Sequence, residues 1–324
     1  MPILYFMTNK NAFFSALLVA AALSYGCDSS NPNDNRVEKI DTAAVARDTS
    51  DVAEDIKKVA ADLPSSVDFV SHINQADLPY EQKWLNSPVN VDKYLANSAK
   101  NALNLGVYMA DLGYNALYFK PQGSLEYLKV TKKLSDQIGI LNQESKAFVE
   151  RFERNLEVRD SLLTITREAY FSIDEYLKGS ERRDIASLML AGTWIEGLYI
   201  SSNVLSGLPN IGEDAKLKPI LWRIGGQKRS LNNLISILEK NSTETVVKDL
   251  IKELKELALI YEKVKIVEAN RGEVQEFIDI AEIKNLDDIT DKVVLSSIVE
   301  VDIDLDTFKA ITQKITSIRN KLVQ

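Results

Sequence analysis

A chain of 324 residues with 45% hydrophobic content is long enough to bury a sizeable core, in one large domain or two ordinary ones, which confines disorder to segments. Its formal charge of −8 and pI near 5.0 leave no basic surplus to neutralise phosphates, and no Lys/Arg run makes up for it, so a nucleic-acid partner is excluded. Only 13 glycines and 8 prolines interrupt long stretches rich in Leu, Ala, Glu and Lys, which read as helices rather than strands.

Residues 1–26 read as an export signal. Lys10 supplies a thin positive region, 12–23 is an apolar core too short to span a bilayer, and Leu23-Ser24-Tyr25-Gly26 leads into Cys27, the single cysteine. The pattern resembles a bacterial lipoprotein signal, in which cleavage after Gly26 leaves Cys27 as the site of lipid attachment. It departs from that signal at Ser24, where leucine is usual, with Leu23 one position early. An ordinary secreted protein with a free thiol is the alternative. Residues 27–40 form a flexible tether, and 28–35 contain no hydrophobic side chain at all. An acidic residue, Asp28, directly after the cysteine resembles the export signal of Bacteroidota surface lipoproteins.

The remaining residues, 41–324, predict a single all-α domain, a multi-helix bundle or helical array of about nine helices. A first amphipathic helix over 41–63 is stopped by Pro64, and a short second one covers 65–75. An irregular connection follows over 76–91. The central helix begins near Val91 and ends before Pro121. Its core, 99–119, is almost uncharged and must be buried. Ala99, Ala102, Gly106, Ala110, Gly113 and Ala116 gather on one side as a ridge of small residues that invites close packing. Asn97, Asn101, Asn104, Tyr108, Asp111 and Asn115 form a narrow polar seam opposite.

Further helices are expected over 124–138, 142–155 and 157–178, and then over 181–206, the second nearly uncharged one. That helix carries a lone Glu196 between Gly192 and Gly197, and it loosely echoes the first: glycine, an aromatic two residues on, then one acid. A helix over 213–240 is interrupted at Gly225-Gly226, and a charged amphipathic helix over 242–269 packs on the outside. Near 270–305 the helical period is lost, and 293–304 reads as a short extended segment lying against the bundle. A last helix over 306–322 places Phe308, Ile311, Ile315, Ile318 and Leu322 on one face.

The runs Asn90-Val91-Asp92-Lys93-Tyr94, Ala102-Leu103-Asn104-Leu105-Gly106-Val107-Tyr108 with Ala110-Asp111-Leu112-Gly113-Tyr114, Arg151-Phe152-Glu153 with Arg159-Asp160-Ser161-Leu162-Leu163, Leu190-Ala191-Gly192 with Trp194-Ile195-Glu196, and Arg223-Ile224-Gly225 with Gln227-Lys228 carry a likeness. Together they resemble a family of helical Bacteroidota lipoproteins with no assigned activity. The likeness runs from about Pro64 to the C-terminus. Met109 departs from it, since relatives often carry glycine there. The resemblance implies secretion, a lipid anchor in the cell envelope at the outer membrane, and a helical fold. It implies no cofactor and no catalytic residue.

The chemistry left to such a chain is narrow. His72 is the only histidine, and one imidazole without further ligands makes no metal site. No Glu-x-x-His pair, nucleophile elbow or phosphate loop is present. What remains is carboxylates. Asp111 and Glu196 each stand nearly alone among hydrophobes, and a buried ionised carboxylate needs a partner. Arg159, Arg167, Arg182, Arg223 and Lys228 are the candidate cations. Tyr108, Asp111, Trp194 and Glu196, with Arg159 and Arg223, then make up either a ligand-binding pocket or a buried polar network. The expectation is a non-enzymatic binding or scaffolding module that meets the membrane through its lipid and an envelope protein or small ligand through its helices. The alternative is a hydrolase of glycans or cell-wall material with Asp111 and Glu196 as its acid pair.

Overall fold

Asn97 sets the start of the central helix: its backbone is extended and its side chain accepts the Lys100 N–H at 2.7 Å. The computed structural model describes residues 76–140, 143–162, 164–166, 182–241, 244–267 and 300–324, together with Ile73 and Glu168. The export signal, Cys27, the tether, His72, Arg167, most of the helix expected over 157–178 and, apart from Ile73, the helices expected over 41–75 lie outside the described residues. From the Asn97 cap, α1 runs over Ser98–Leu117, later than the start expected near Val91. Val91 belongs instead to a 3-10 segment, Pro88–Tyr94, which follows a shorter one at Gln82–Trp84. Every residue of α1 from Asn101 to Leu117 is buried, as is Ala99.

Pro121 does not merely end the preceding helix. It opens α2 (Pro121–Gln137), because a first-turn proline gives up no intrahelical hydrogen bond. Next come α3 (Gln143–Arg154) and α4 (Arg183–Ser206), the latter buried over nearly its whole length, as its composition required. The stretch 213–240 is two helices, α5 (Lys218–Gly225) and α6 (Lys228–Asn241), broken at the expected glycines. α7 (Thr245–Tyr261) buries Val247, Leu250, Ile251, Leu254, Leu257 and Tyr261 and leaves its charged side outward.

The helix expected to reach 269 stops at Tyr261. Beyond it, β1 (Lys265–Val267) pairs antiparallel with β2 (Glu300–Asp302) in the register Lys265↔Asp302, Ile266↔Val301, Val267↔Glu300. Residues 264–267 are rich in β-branched side chains, which favour extended backbone once a partner strand is at hand. The extended segment expected over 293–304 is thus present at 300–302, and its earlier part lies outside the described residues. It lies against the helices as expected, and a Cβ at Gly225 would come within 2.7 Å of Val301 Cγ1. Asp304 then caps α8 (Leu305–Leu322) by accepting the Thr307 N–H at 2.7 Å.

The fold is all-α, with that one short ladder among the described residues. α1 and α4 form its middle, α2 packs on α1, and α8 packs on α4 and α7. No helix among the described residues is long and apolar enough to cross a membrane.

The crossing of α1 and α4 positions everything that follows. A Cβ on Gly106 would lie 2.1 Å from the Met189 carbonyl oxygen, and one on Gly192 would lie 1.9 Å from that of Leu103. The backbones therefore touch, which only glycine permits. Thr193 Oγ1 adds a hydrogen bond to the Gly106 carbonyl oxygen at 3.1 Å. Asp111, five residues past Gly106, meets Glu196, four residues past Gly192, so the two helices run in the same direction from their crossing.

Candidate functional site

One helical turn past Val107 and Gly192 stand Asp111 and Glu196, and parallel helices bring them together. Both side chains have no exposed surface. Asp111 Oδ2 accepts the Asn86 N–H at 3.1 Å, Oδ1 meets no donor, and the carboxyl lies within hydrogen-bonding reach of Glu196. Glu196 is held by Arg319 from α8 in a two-pronged pair: Nη2 to Oε1 at 2.9 Å and Nε to Oε2 at 3.0 Å. Arg319 Nη2 also reaches the Trp84 carbonyl oxygen at 3.5 Å, and its guanidinium lies 4.6 Å above the Tyr199 ring.

Burial, and after it the neighbouring Glu196, pushes the Asp111 carboxyl well above the usual carboxylate range. Arg319 and the Asn86 N–H pull the other way and are outweighed. Burial would lower the Arg319 guanidinium, yet the facing Glu196 holds it above its ordinary value. A ring of phenols surrounds the pair. Burial raises Tyr108, Tyr127 and Tyr199, and pushes Tyr80 up to about 12, with Asp111 adding to each.

The polar seam of α1 performs a second task. The chain over 76–95 has little regular secondary structure, so its backbone groups need partners from elsewhere. Tyr118 donates to the Leu78 carbonyl oxygen at 2.8 Å, and Tyr114 Oη accepts the Glu81 N–H at 3.0 Å. Tyr108 donates to the Ser87 carbonyl oxygen and Tyr80 to Asn115 Oδ1, both at 2.8 Å. At the other end of the seam, Asn104 Nδ2 donates to the Leu322 carbonyl oxygen at 3.1 Å and Tyr94 Oη to that of Val323 at 2.8 Å, closing the C-terminus of α8. Asn101 is fully buried with neither amide atom bonded.

Of the residues singled out in the sequence, the fold brings together Tyr108, Asp111 and Glu196. Trp194 lies two positions before Glu196 and so points to another side of α4, where its Nε1 donates to Gln227 Oε1 at 3.0 Å. Arg159 reaches the Leu117 carbonyl oxygen at 3.4 Å, at the end of α1. Arg223 sits on α5, where its carbonyl oxygen accepts from Gln227 Nε2 at 3.0 Å. Arg182 donates to the Ile138 carbonyl oxygen at 2.5 Å and Lys228 pairs with Glu262 at 2.9 Å. None of these bonds reaches Asp111 or Glu196.

The cation that does was missed. Arg319 follows Ile315 by four residues and lies on the same stripe as Ile318 and Leu322, so the helical period alone aims it inward. Among the described residues no cluster of His, Cys, Asp and Glu could hold a metal ion. A shallow depression on α2, lined by Lys129, Lys132, Lys133, Asp136 and Gln137, includes no residue of the seam. Known protein families, curated proteins and solved structures were all compared with the chain, and none matches it.

Proposed function

We propose that the chain is a lipid-anchored protein of the cell envelope whose helical body serves as a non-enzymatic binding or scaffolding module. The anchor rests on the short apolar run before Cys27 and on the likeness to Bacteroidota lipoproteins. The non-enzymatic reading is carried by one observation, the closure of the Asp111/Glu196 pair. Glycoside hydrolysis needs two carboxyl groups about 5 to 10 Å apart with a sugar and water between them. Here the carboxyl groups adjoin each other, Glu196 is occupied by Arg319, and neither meets solvent. A group in that state holds helices together rather than meeting a substrate.

Two measurements test the proposal. Mass spectrometry of the mature N-terminus is expected to find Cys27 acylated, with Cys27→Ala shifting the protein from the membrane fraction to the soluble one. An unmodified Cys27 removes the anchor. Incubation with peptidoglycan or envelope glycans is expected to release no fragments. Release that is lost in Asp111→Asn would reinstate the hydrolase.

A further inference from the structure

Two carboxyl groups and one guanidinium share a buried space between α1, α4 and α8. Arg319 donates to both oxygens of Glu196 and to the Trp84 carbonyl oxygen, and none of these bonds goes to Asp111. Asp111 receives a single neutral donor, the Asn86 N–H, and its second oxygen has none. An ionised Asp111 would therefore be a charge with no cation bonded to it, set against a second carboxylate and buried from the surface. A carboxylic acid at the same place would have a donor for Glu196 and no charge.

We infer that Asp111 carries a proton in the native protein and donates it to Glu196, making the joint between α1 and α4 a clamp that holds in acid and loosens in alkali. The groups facing Asp111 leave the proton as its remaining source of neutrality. The 76–95 connection presents the phenol of Tyr80 together with the Asn86 N–H. α1 presents Tyr108 and α2 presents Tyr127. α4 presents Tyr199 and the already paired Glu196, and α8 presents Arg319, which Glu196 occupies. Protonated Asp111, ionised Glu196 and Arg319 sum to zero, the one balance suited to a site without solvent. Two carboxyl groups that cannot both ionise at close range share a proton by the same rule elsewhere.

The sign of the consequence follows from linkage. The unfolded chain releases this proton at the ordinary carboxylate value and the folded chain keeps it, so stability falls as pH rises between that value and the raised one. One retained proton changes the unfolding equilibrium about tenfold per pH unit over that window.

Infrared spectroscopy of the folded chain at neutral pH, with and without isotope-labelled aspartate, tests the assignment directly. The expected result is a carbonyl band of a protonated carboxylic acid that shifts with the aspartate label and vanishes in Asp111→Asn. If that variant does not fold, the isotope shift in the wild type decides alone. Absence of the band in the folded wild type overturns the inference, and a band that follows labelled glutamate instead overturns the placement of the proton on Asp111. A folded Asp111→Asn protein is further expected to lose the fall in melting temperature that sets in as pH rises above the ordinary carboxylate value. Retention of that fall assigns it to other groups and overturns the clamp.

Discussion

Asp111 and Glu253 are both carboxylates beside cations of α8, and they are displaced in opposite directions. Asp111, deep between α1 and α4, is pushed up by burial and by Glu196. Glu253, at the half-buried rim where α7 meets α8, is held below its ordinary value by hydrogen bonds from Lys314 (2.7 Å) and Lys321 (2.6 Å). The contrast shows that the surroundings, and not the residue type, decide what a carboxylate contributes. At the rim, water and two lysines keep the charged form comfortable. In the interior the one guanidinium is taken by Glu196, so Asp111 must stay neutral.

This comparison can be broken from either side. The largest loss is expected where neither charge is involved. Gly192→Leu or Gly106→Leu drives a side chain into a backbone carbonyl at the crossing that brings Asp111 to Glu196, and about 4 kcal/mol or more of stability should go, read by chemical denaturation. Next comes Arg319→Ala, which strands an ionised Glu196 in the core and is expected to cost about 3–5 kcal/mol. Pairing Arg319→Met with Glu196→Leu should recover most of that loss, since the apolar pair leaves no orphaned charge. A double variant as unstable as Arg319→Ala would mean that the salt bridge contributes more than mutual neutralisation.

Asp111→Ala removes the acceptor of the Asn86 N–H and the donor to Glu196, for an expected loss of about 1–3 kcal/mol in thermal or urea unfolding. The smallest effect belongs to the rim. Lys314→Ala should cost at most about 1 kcal/mol, and less as salt is added, whereas the Arg319→Ala loss should hardly respond to salt.

The two carboxylates also separate by pH. The Glu253 contribution is present above the ordinary carboxylate range and is lost as pH falls through its lowered value, while the Asp111 contribution is full in acid and is lost as pH rises towards its raised one. Melting temperature against pH should therefore lose part of its acid limb in Glu253→Gln and, in Asp111→Asn, part of its decline as pH rises above the ordinary carboxylate value.

Much of this was readable along the chain. Burial of α1 and α4 followed from their near absence of charge, the break at Gly225-Gly226 from its glycines, and the need of Asp111 and Glu196 for a partner from the cost of burying charge. The arginine that pairs with Glu196 is not among Arg159, Arg182, Arg223 and Lys228, which lie on helices that could face the acids, because which helix docks there is settled far along the chain. Arg319 lies 123 positions from Glu196, and an amphipathic stripe shows that a side chain faces inward without showing which helix it will face. Trp194 was grouped with Glu196 by sequence nearness, although a two-residue step on a helix separates directions. The strand at Lys265–Val267 was read as helix because so short a run takes its conformation from the partner it finds.

The amino-acid order by itself thus determined that the fold is helical, which two helices are almost wholly buried, and that two acids would be trapped with them, since periodicity and desolvation are local properties of residue type. Tertiary structure alone decided that the two acids meet, that one arginine from the last helix pairs with Glu196, and that Asp111 is left without a cation of its own. Those outcomes depend on the parallel glycine crossing of α1 and α4 and on where α8 docks, which are long-range distances that no local pattern encodes.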